Sequence, residues 1–412
     1  MDEKKRSRYA LMSLLAVSIG YVAPNYAQYQ LSPLAPSLTS EFAISASQFS
    51  SLFTAAMIPG ILLSLVSGIL IDKHNPKLVA GASFALSTLG AVINLLGNSY
   101  GTLFLGFVLT GVAATILNSC SAKLLGAWYK PSQLTSKIGI AFSFSTLSMT
   151  VALATTAFFP NRKAAFSVAL ALFVIALACW CLLYRNNPER DGAVSTHADS
   201  KHVPAPAQPS LGALLKRVMS SRNVWLVGIA LFFLMGPNVI MSSMGPTILT
   251  TRGIGSVAAG YYTSIYTIGA LISCYVAPML AKALRSVKRT VVIFTLAAAF
   301  CVAFGWRAPE GLALGAAFFL AGFFVGGCIP LLISLPITFK GIGEQLAGTA
   351  GGLVATVELL GAVVLPSFVI LPMAGDNLGV AFLLAGVCAV AACLLAAFLP
   401  KQAPATDSKP QA

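Results

Sequence analysis

The sequence predicts an all-α membrane protein whose twelve transmembrane helices form two six-helix bundles. Three observations carry this expectation. Of 412 residues, 57% are hydrophobic and only 9% charged, whereas a soluble domain carries roughly a quarter charged residues. The apolar residues gather into runs of about 17 to 25 residues, long enough to cross a bilayer. With the N-terminus inside, 22 of the 26 Lys and Arg fall on one side of those runs, the asymmetry that sets the orientation of membrane proteins.

The runs lie near 9–31, 48–70, 78–97, 101–125, 137–159, 164–184, 224–248, 257–281, 290–306, 312–336, 346–371 and 378–399. A β-barrel is excluded, because barrel strands alternate over about ten residues and these runs do not. The formal charge of +14 is a consequence of topology: only Arg162, Lys163, Arg252 and Arg307 lie outside, and no nucleic-acid partner is implied. Both termini are expected in the cytoplasm. The first run carries Pro24, Asn25 and Gln28 and continues beyond a signal-peptide core, so no cleavage is expected. All eight cysteines sit in or at the ends of spans, and Cys179-x-Cys181 lacks metal or redox spacing; they read as small apolar residues at helix contacts.

Taken in order, span 1 presents Ser18, Tyr21, Asn25, Gln28 and Ser32 at separations of three and four, which places them on one stripe. Lipid would leave these groups unsatisfied, so the stripe should face water, substrate or another helix. Span 2 ends in Gly68-Ile-Leu-Ile-Asp72-Lys73-His-Asn-Pro76-Lys77, an acid and basic side chains directly after an apolar run. Span 4 offers Thr115 and Asn118 and ends near Lys123, whose long stem suits snorkelling to headgroups. Residues 185–222 form the long hydrophilic segment; their Pro, Ser and Ala content predicts a flexible linker, closed by an amphipathic stretch, Leu211 to Met219, on the inner surface.

Span 7 offers Asn238 and Ser242, and span 8 offers Tyr262 and Tyr266, each pair four residues apart. Ala23-Pro24-Asn25 in span 1 and Gly236-Pro237-Asn238 in span 7 suggest related halves, each opening with a helix broken near its middle. Glu358 is the one acid deep in a span, twelve residues after Leu346, or about 18 Å along the helix. An ionised carboxylate there is costly, so Glu358 reads as a proton-coupling site, holding its proton at rest or facing a polar cavity or a cation. The expected domains are 1–184, a linker 185–222, 223–400 and a cytoplasmic tail 401–412.

The stretch from Gly68 to Lys77 resembles the loop between helices 2 and 3 of the major facilitator superfamily, Gly-x-x-x-Asp-(Arg/Lys)-x-x-x-(Arg/Lys). The resemblance implies that Gly68, Asp72, Lys73 and Lys77 take part in gating, with Asp72 capping the start of span 11 around Ala347 to Gly352. It also implies a cavity lined by helices 1, 4, 7 and 10, which puts Asn25, Gln28, Asn118 and Asn238 first among the candidates for substrate binding; the polar positions Tyr21, Thr115, Ser242, Tyr262 and Tyr266 complete the set. The segment Lys123-Leu-Leu-Gly126-Ala-Trp128-Tyr129-Lys130-Pro131 is similar to the cyanate-permease and organic-anion branches. Phe107, four residues before Gly111, stands where many proton-coupled members have Arg, and the Gly-Pro motif of drug/proton antiporters is absent from Gly139 to Phe159.

The expectation is a secondary active transporter of a small organic solute, such as a monocarboxylate or cyanate-like anion, coupled to protons and monomeric in a bacterial inner membrane. Two other readings stay open: proton-driven efflux of a lipophilic or cationic compound, and a non-transporting membrane sensor with the same fold. The sequence contains no Gly-x-x-x-x-Gly-Lys-(Ser/Thr), and His74, His197 and His202 all lie in loops. No enzyme activity, cofactor or metal is therefore expected.

Overall fold

Polar side chains mark where the membrane helices begin. Ser45 and Gln48 form a reciprocal capping box, with Gln48 N donating to Ser45 Oγ at 3.2 Å and Ser45 N to Gln48 Oε1 at 2.9 Å. Asn75, Asn161, Ser286 and Asn377 likewise accept from backbone N–H groups of the first turns that follow them. Each supplies a partner for a donor that a helix start leaves unpaired, which matters more where lipid offers none.

A computed structural model describes residues 3–63, 75–126, 128–129, 131–186, 218–336, 339 and 343–400. Among them twelve helices are long and apolar enough to cross a membrane: Lys4–Phe42, Ala46–Leu63, Pro76–Leu96, Tyr100–Ser121, Lys137–Phe158, Arg162–Leu183, Arg222–Thr251, Ser256–Ala283, Val287–Arg307, Leu312–Ile333, Ala350–Ala374 and Leu378–Ala397. These are spans 1 to 12 below. By packing, the chain divides into two units, Met1–Pro209 with Gly245–Ser264, and Ser210–Met244 with Ile265–Ala412.

Within each unit the helices meet at glycines. A Cβ on Gly90 of span 3 would lie 2.6 Å from Gly106 O of span 4, and one on Gly111 would strike Ala56 O of span 2. In the second unit a Cβ on Gly322 of span 10 would strike Tyr266 O of span 8. Small residues let backbones approach closely, the packing that replaces hydrophobic drive inside a bilayer.

The internal repeat recurs in contacts. Gly111 meets Ala56 as Gly322 meets Tyr266, about 210 positions later. Lys77 and Lys288 are at the same offset: Lys77 Nζ donates to Cys181 O at 2.8 Å, tying the start of span 3 to the end of span 6, and Lys288 Nζ donates to Leu399 O at 2.8 Å, tying span 9 to the end of span 12. Both lysines satisfy carbonyls that a helix C-terminus leaves open.

The expected Pro-Asn breaks need correction. Helices Glu3–Tyr29 and Arg222–Thr251 run through Pro24 and Pro237 without interruption. Proline removes a donor and crowds the preceding turn, but Asn25 Nδ2 donates to Tyr21 O at 2.7 Å and Ser148 Oγ of span 5 donates to Val22 O at 2.7 Å. Donors from the helix and its neighbour thus support the carbonyls around Pro24. The discontinuity of span 1 falls instead at Gln30, beyond which Leu31–Phe42 continues. In its last turn that extension carries Glu41, whose carboxylate accepts from buried Arg162 Nε at 2.8 and 2.9 Å.

Candidate functional site

In the first unit, spans 1, 4 and 5 build a polar and aromatic face. Tyr21 is buried, lies near Ser121 of span 4 and meets the Phe142 ring of span 5 edge-on at 5.8 Å. Asn25, one turn on, gives its amide nitrogen to Tyr21 O, so its oxygen is the group it offers to a ligand. Asn118 is exposed within span 4, while Thr115 is buried and turns its hydroxyl to Gly111 O at 3.0 Å. An exposed amide within a membrane-crossing helix needs water or a ligand as partner.

Ser121 and Phe142 were not anticipated. Ser121 was legible as the next position after Thr115 and Asn118 at a spacing of three; Phe142 carries no signal in sequence. Gln28 turns away from this face, its Nε2 donating to Phe53 O of span 2 at 3.0 Å with both groups buried. Its amide therefore joins two helices.

In the second unit, Asn238 of span 7 and Tyr266 of span 8 come together. The Tyr266 hydroxyl donates to Asn238 Oδ1 at 2.9 Å, and Asn238 Nδ2 lies 3.8 Å from Met235 Sδ. A thioether only accepts, which fixes the amide with its oxygen toward Tyr266. Ser242 Oγ donates back to Asn238 O on its own helix. Tyr262, one turn before Tyr266 on the same helix, is half-buried and is grouped by packing with the first unit.

Gly236, two residues before Asn238 and so some 200° around span 7, packs against Ile370 and Cys388, each about 3.2 Å from where its Cβ would be. Ile370 closes a π-helical turn, Leu365–Ile370, that carries Pro366 and interrupts span 11. Only Pro366 hinted at it in the sequence.

Glu358 lies apart from this cluster. Val357 packs on Gly228 of span 7 and Gly361 on Phe232, so Glu358 is level with residues 228–232. Asn238 is six to ten residues further along, about 9 to 15 Å at the helical rise. Glu358 is half-buried, in line with buried Val354 and Ala362, and some 200° around the helix from exposed Leu360. Its side chain thus leaves the helix on the face turned away from Leu360.

Of the gating residues, Lys77 holds Cys181 O and its own carbonyl accepts from Trp180 Nε1 at 3.0 Å. Gly68, Asp72 and Lys73 lie outside the described residues.

A sequence model of the Major Facilitator Superfamily matches residues 11–366. The chain is 24% identical over 370 residues to the membrane sensor protein UhpC of Salmonella typhimurium, covering 85% of this chain and 82% of UhpC. Among solved structures it is similar to a D-xylose-proton symporter, with a TM-score of 0.75, 16% identity, and 95% and 98% of the two chains covered. It is also similar to the nucleoside transporter NupG, with a TM-score of 0.74, 12% identity, and 93% and 98% covered. A bacterial homolog of the human lysosomal transporter Spinster gives a TM-score of 0.69 at 14% identity, with 95% of each chain covered. At these identities the structural likenesses speak to the fold.

Proposed function

Because the chain belongs to the major facilitator superfamily, we propose that it is a secondary active transporter that moves a small organic solute together with a proton, by alternating access of its two bundles. The observation that carries the reading is Glu358, a carboxyl fifteen residues into a long, mainly apolar helix and directed away from the exposed face of that helix. Carboxyls at such depth are costly and belong to proton or substrate pathways.

The polar groups suit a small solute with few hydrogen-bonding positions. Asn25 offers an acceptor, Asn238 a donor nitrogen, and Asn118 a whole amide. None is charged, so a monocarboxylate would travel with its charge cancelled by the proton rather than by an arginine. Such a cycle is electroneutral. One pH unit is then worth about 1.4 kcal/mol, a tenfold accumulation, and the membrane potential adds nothing.

The test is uptake of labelled monocarboxylates and cyanate into liposomes holding the purified protein, with a pH gradient and with an imposed potential. Accumulation that follows the pH gradient and ignores the potential supports the reading. Lipophilic cations moving against the gradient would replace it with efflux.

The likeness to UhpC favours a second reading, a sensor that keeps the fold and signals through the central segment. Deleting residues 193–208 separates the two: a transporter keeps its uptake without that stretch, and a signalling protein loses its output.

A further inference from the structure

A cavity of about 10 Å³ lies inside the first unit, where Gln30 of span 1, Asn94 of span 3 and Thr110 of span 4 meet beside Ala27, Ala91 and Phe166. These six residues are each at most 3% exposed, so a molecule held there is resident rather than cargo. Two buried amide oxygens of the cavity residues, Gln30 Oε1 and Asn94 Oδ1, have no hydrogen-bond partner in the protein. Unsatisfied buried acceptors are rare, and two from different helices around one cavity call for a shared donor. Thr110 Oγ already donates to Phe107 O at 2.8 Å, which leaves it able to accept.

We propose that one resident water molecule fills this cavity and donates a hydrogen to each of Gln30 Oε1 and Asn94 Oδ1. The volume is about that of a single water by the measure appropriate to buried sites, and the polar partners number two or three, as such waters require. A monovalent cation fits the oxygens but not the electrostatics. No carboxylate lines the cavity, and the charges of span 6, Arg162 with its partner Glu41 and exposed Lys163, lie about one turn before Phe166; an uncompensated buried charge is strongly disfavoured. The place gives the water its role. Gln30 is the joint between the two helical segments of span 1, and the water pins that joint to span 3. Gly106 makes room for the arrangement, since a Cβ there would strike Asn94 Oδ1.

The direct test is a density map of the intact protein in lipid nanodiscs at a resolution that shows waters. The expected result is one peak about 2.8 Å from both amide oxygens. A site without a peak, the two amides bonded to each other, or a peak ringed by five or more oxygens at metal distances would each overturn the proposal. Thermal unfolding adds a second readout. Gln30→Leu and Asn94→Leu should each lower the midpoint, and the double variant by less than their sum, because the water leaves with either partner; strict additivity contradicts a shared water. Exchanging sodium for choline should leave the midpoint unchanged, and a sodium-dependent rise would install a cation in its place.

Discussion

Removing one oxygen atom from Tyr266 asks whether Asn238 is held for a ligand or only for the contact between spans 7 and 8. The hydroxyl donates to Asn238 Oδ1 at 2.9 Å; Tyr266 is 2% exposed, while Asn238 is half-buried. In Tyr266→Phe the ring still fills its place and Oδ1 loses its donor. A buried acceptor left without a partner costs about 1 to 3 kcal/mol. Asn238 retains some access to water, so the low end applies, about 1 kcal/mol or fivefold in a binding constant. If Tyr266 presents the Asn238 amide to substrate, KM rises about fivefold with little change in kcat, while the unfolding midpoint falls only about 2 to 4 °C. Transport kinetics in liposomes and a thermal melt in detergent measure the two. A lowered midpoint with an unchanged KM would refute the reasoning and leave the pair as helix glue.

The paired lysines predict a paired effect. Lys77→Met and Lys288→Met each remove a cation from a helix C-terminus and cost about 0.5 to 1 kcal/mol, with Lys288 the costlier because its bond is the better shielded; melts that show no loss for either would contradict the clamp. Gly322→Val drives a side chain into Tyr266 O and should cost at least about 2 kcal/mol by overpacking, with spans 8 and 10 forced apart; a variant as stable as the parent would show that the contact is not tight. Asp72→Asn should slow turnover more than it weakens binding if the loop after span 2 gates transport, and equal rates in liposomes would count against that role.

The twelve spans were legible because hydrophobic length and charge asymmetry decide them, and both are local properties of the chain. Span 1 shows the limit: Ser37, Thr39 and Glu41 dilute its far end, yet the helix carries on to Phe42, since Arg162 waits for Glu41 across 121 residues. Partners at that separation have no signature in a single sequence. The same holds for the site. Spacing put Tyr21, Asn25 and Gln28 on one stripe, but the longer Gln28 side chain reaches Phe53 O and serves the packing of span 2. Asn238 and Tyr266 were each legible as polar positions on their own helices, whereas the bond between them, and the π turn beside Gly236, depend on how spans 7, 8 and 11 pack. Lys77 read as part of a gate; the described structure adds its bond to Cys181 O, which the motif does not contain.

Proton coupling through Glu358 is the central claim, and Glu358→Gln tests it most directly. The neutral amide keeps the shape and cannot carry the proton. In liposomes loaded with substrate on both sides, exchange should continue, because a permanently neutral side chain mimics the protonated carboxyl. With a gradient of one pH unit, the parent protein should accumulate substrate about tenfold and the variant should only equilibrate it. Accumulation by Glu358→Gln equal to that of the parent, under the same gradient, would contradict the account.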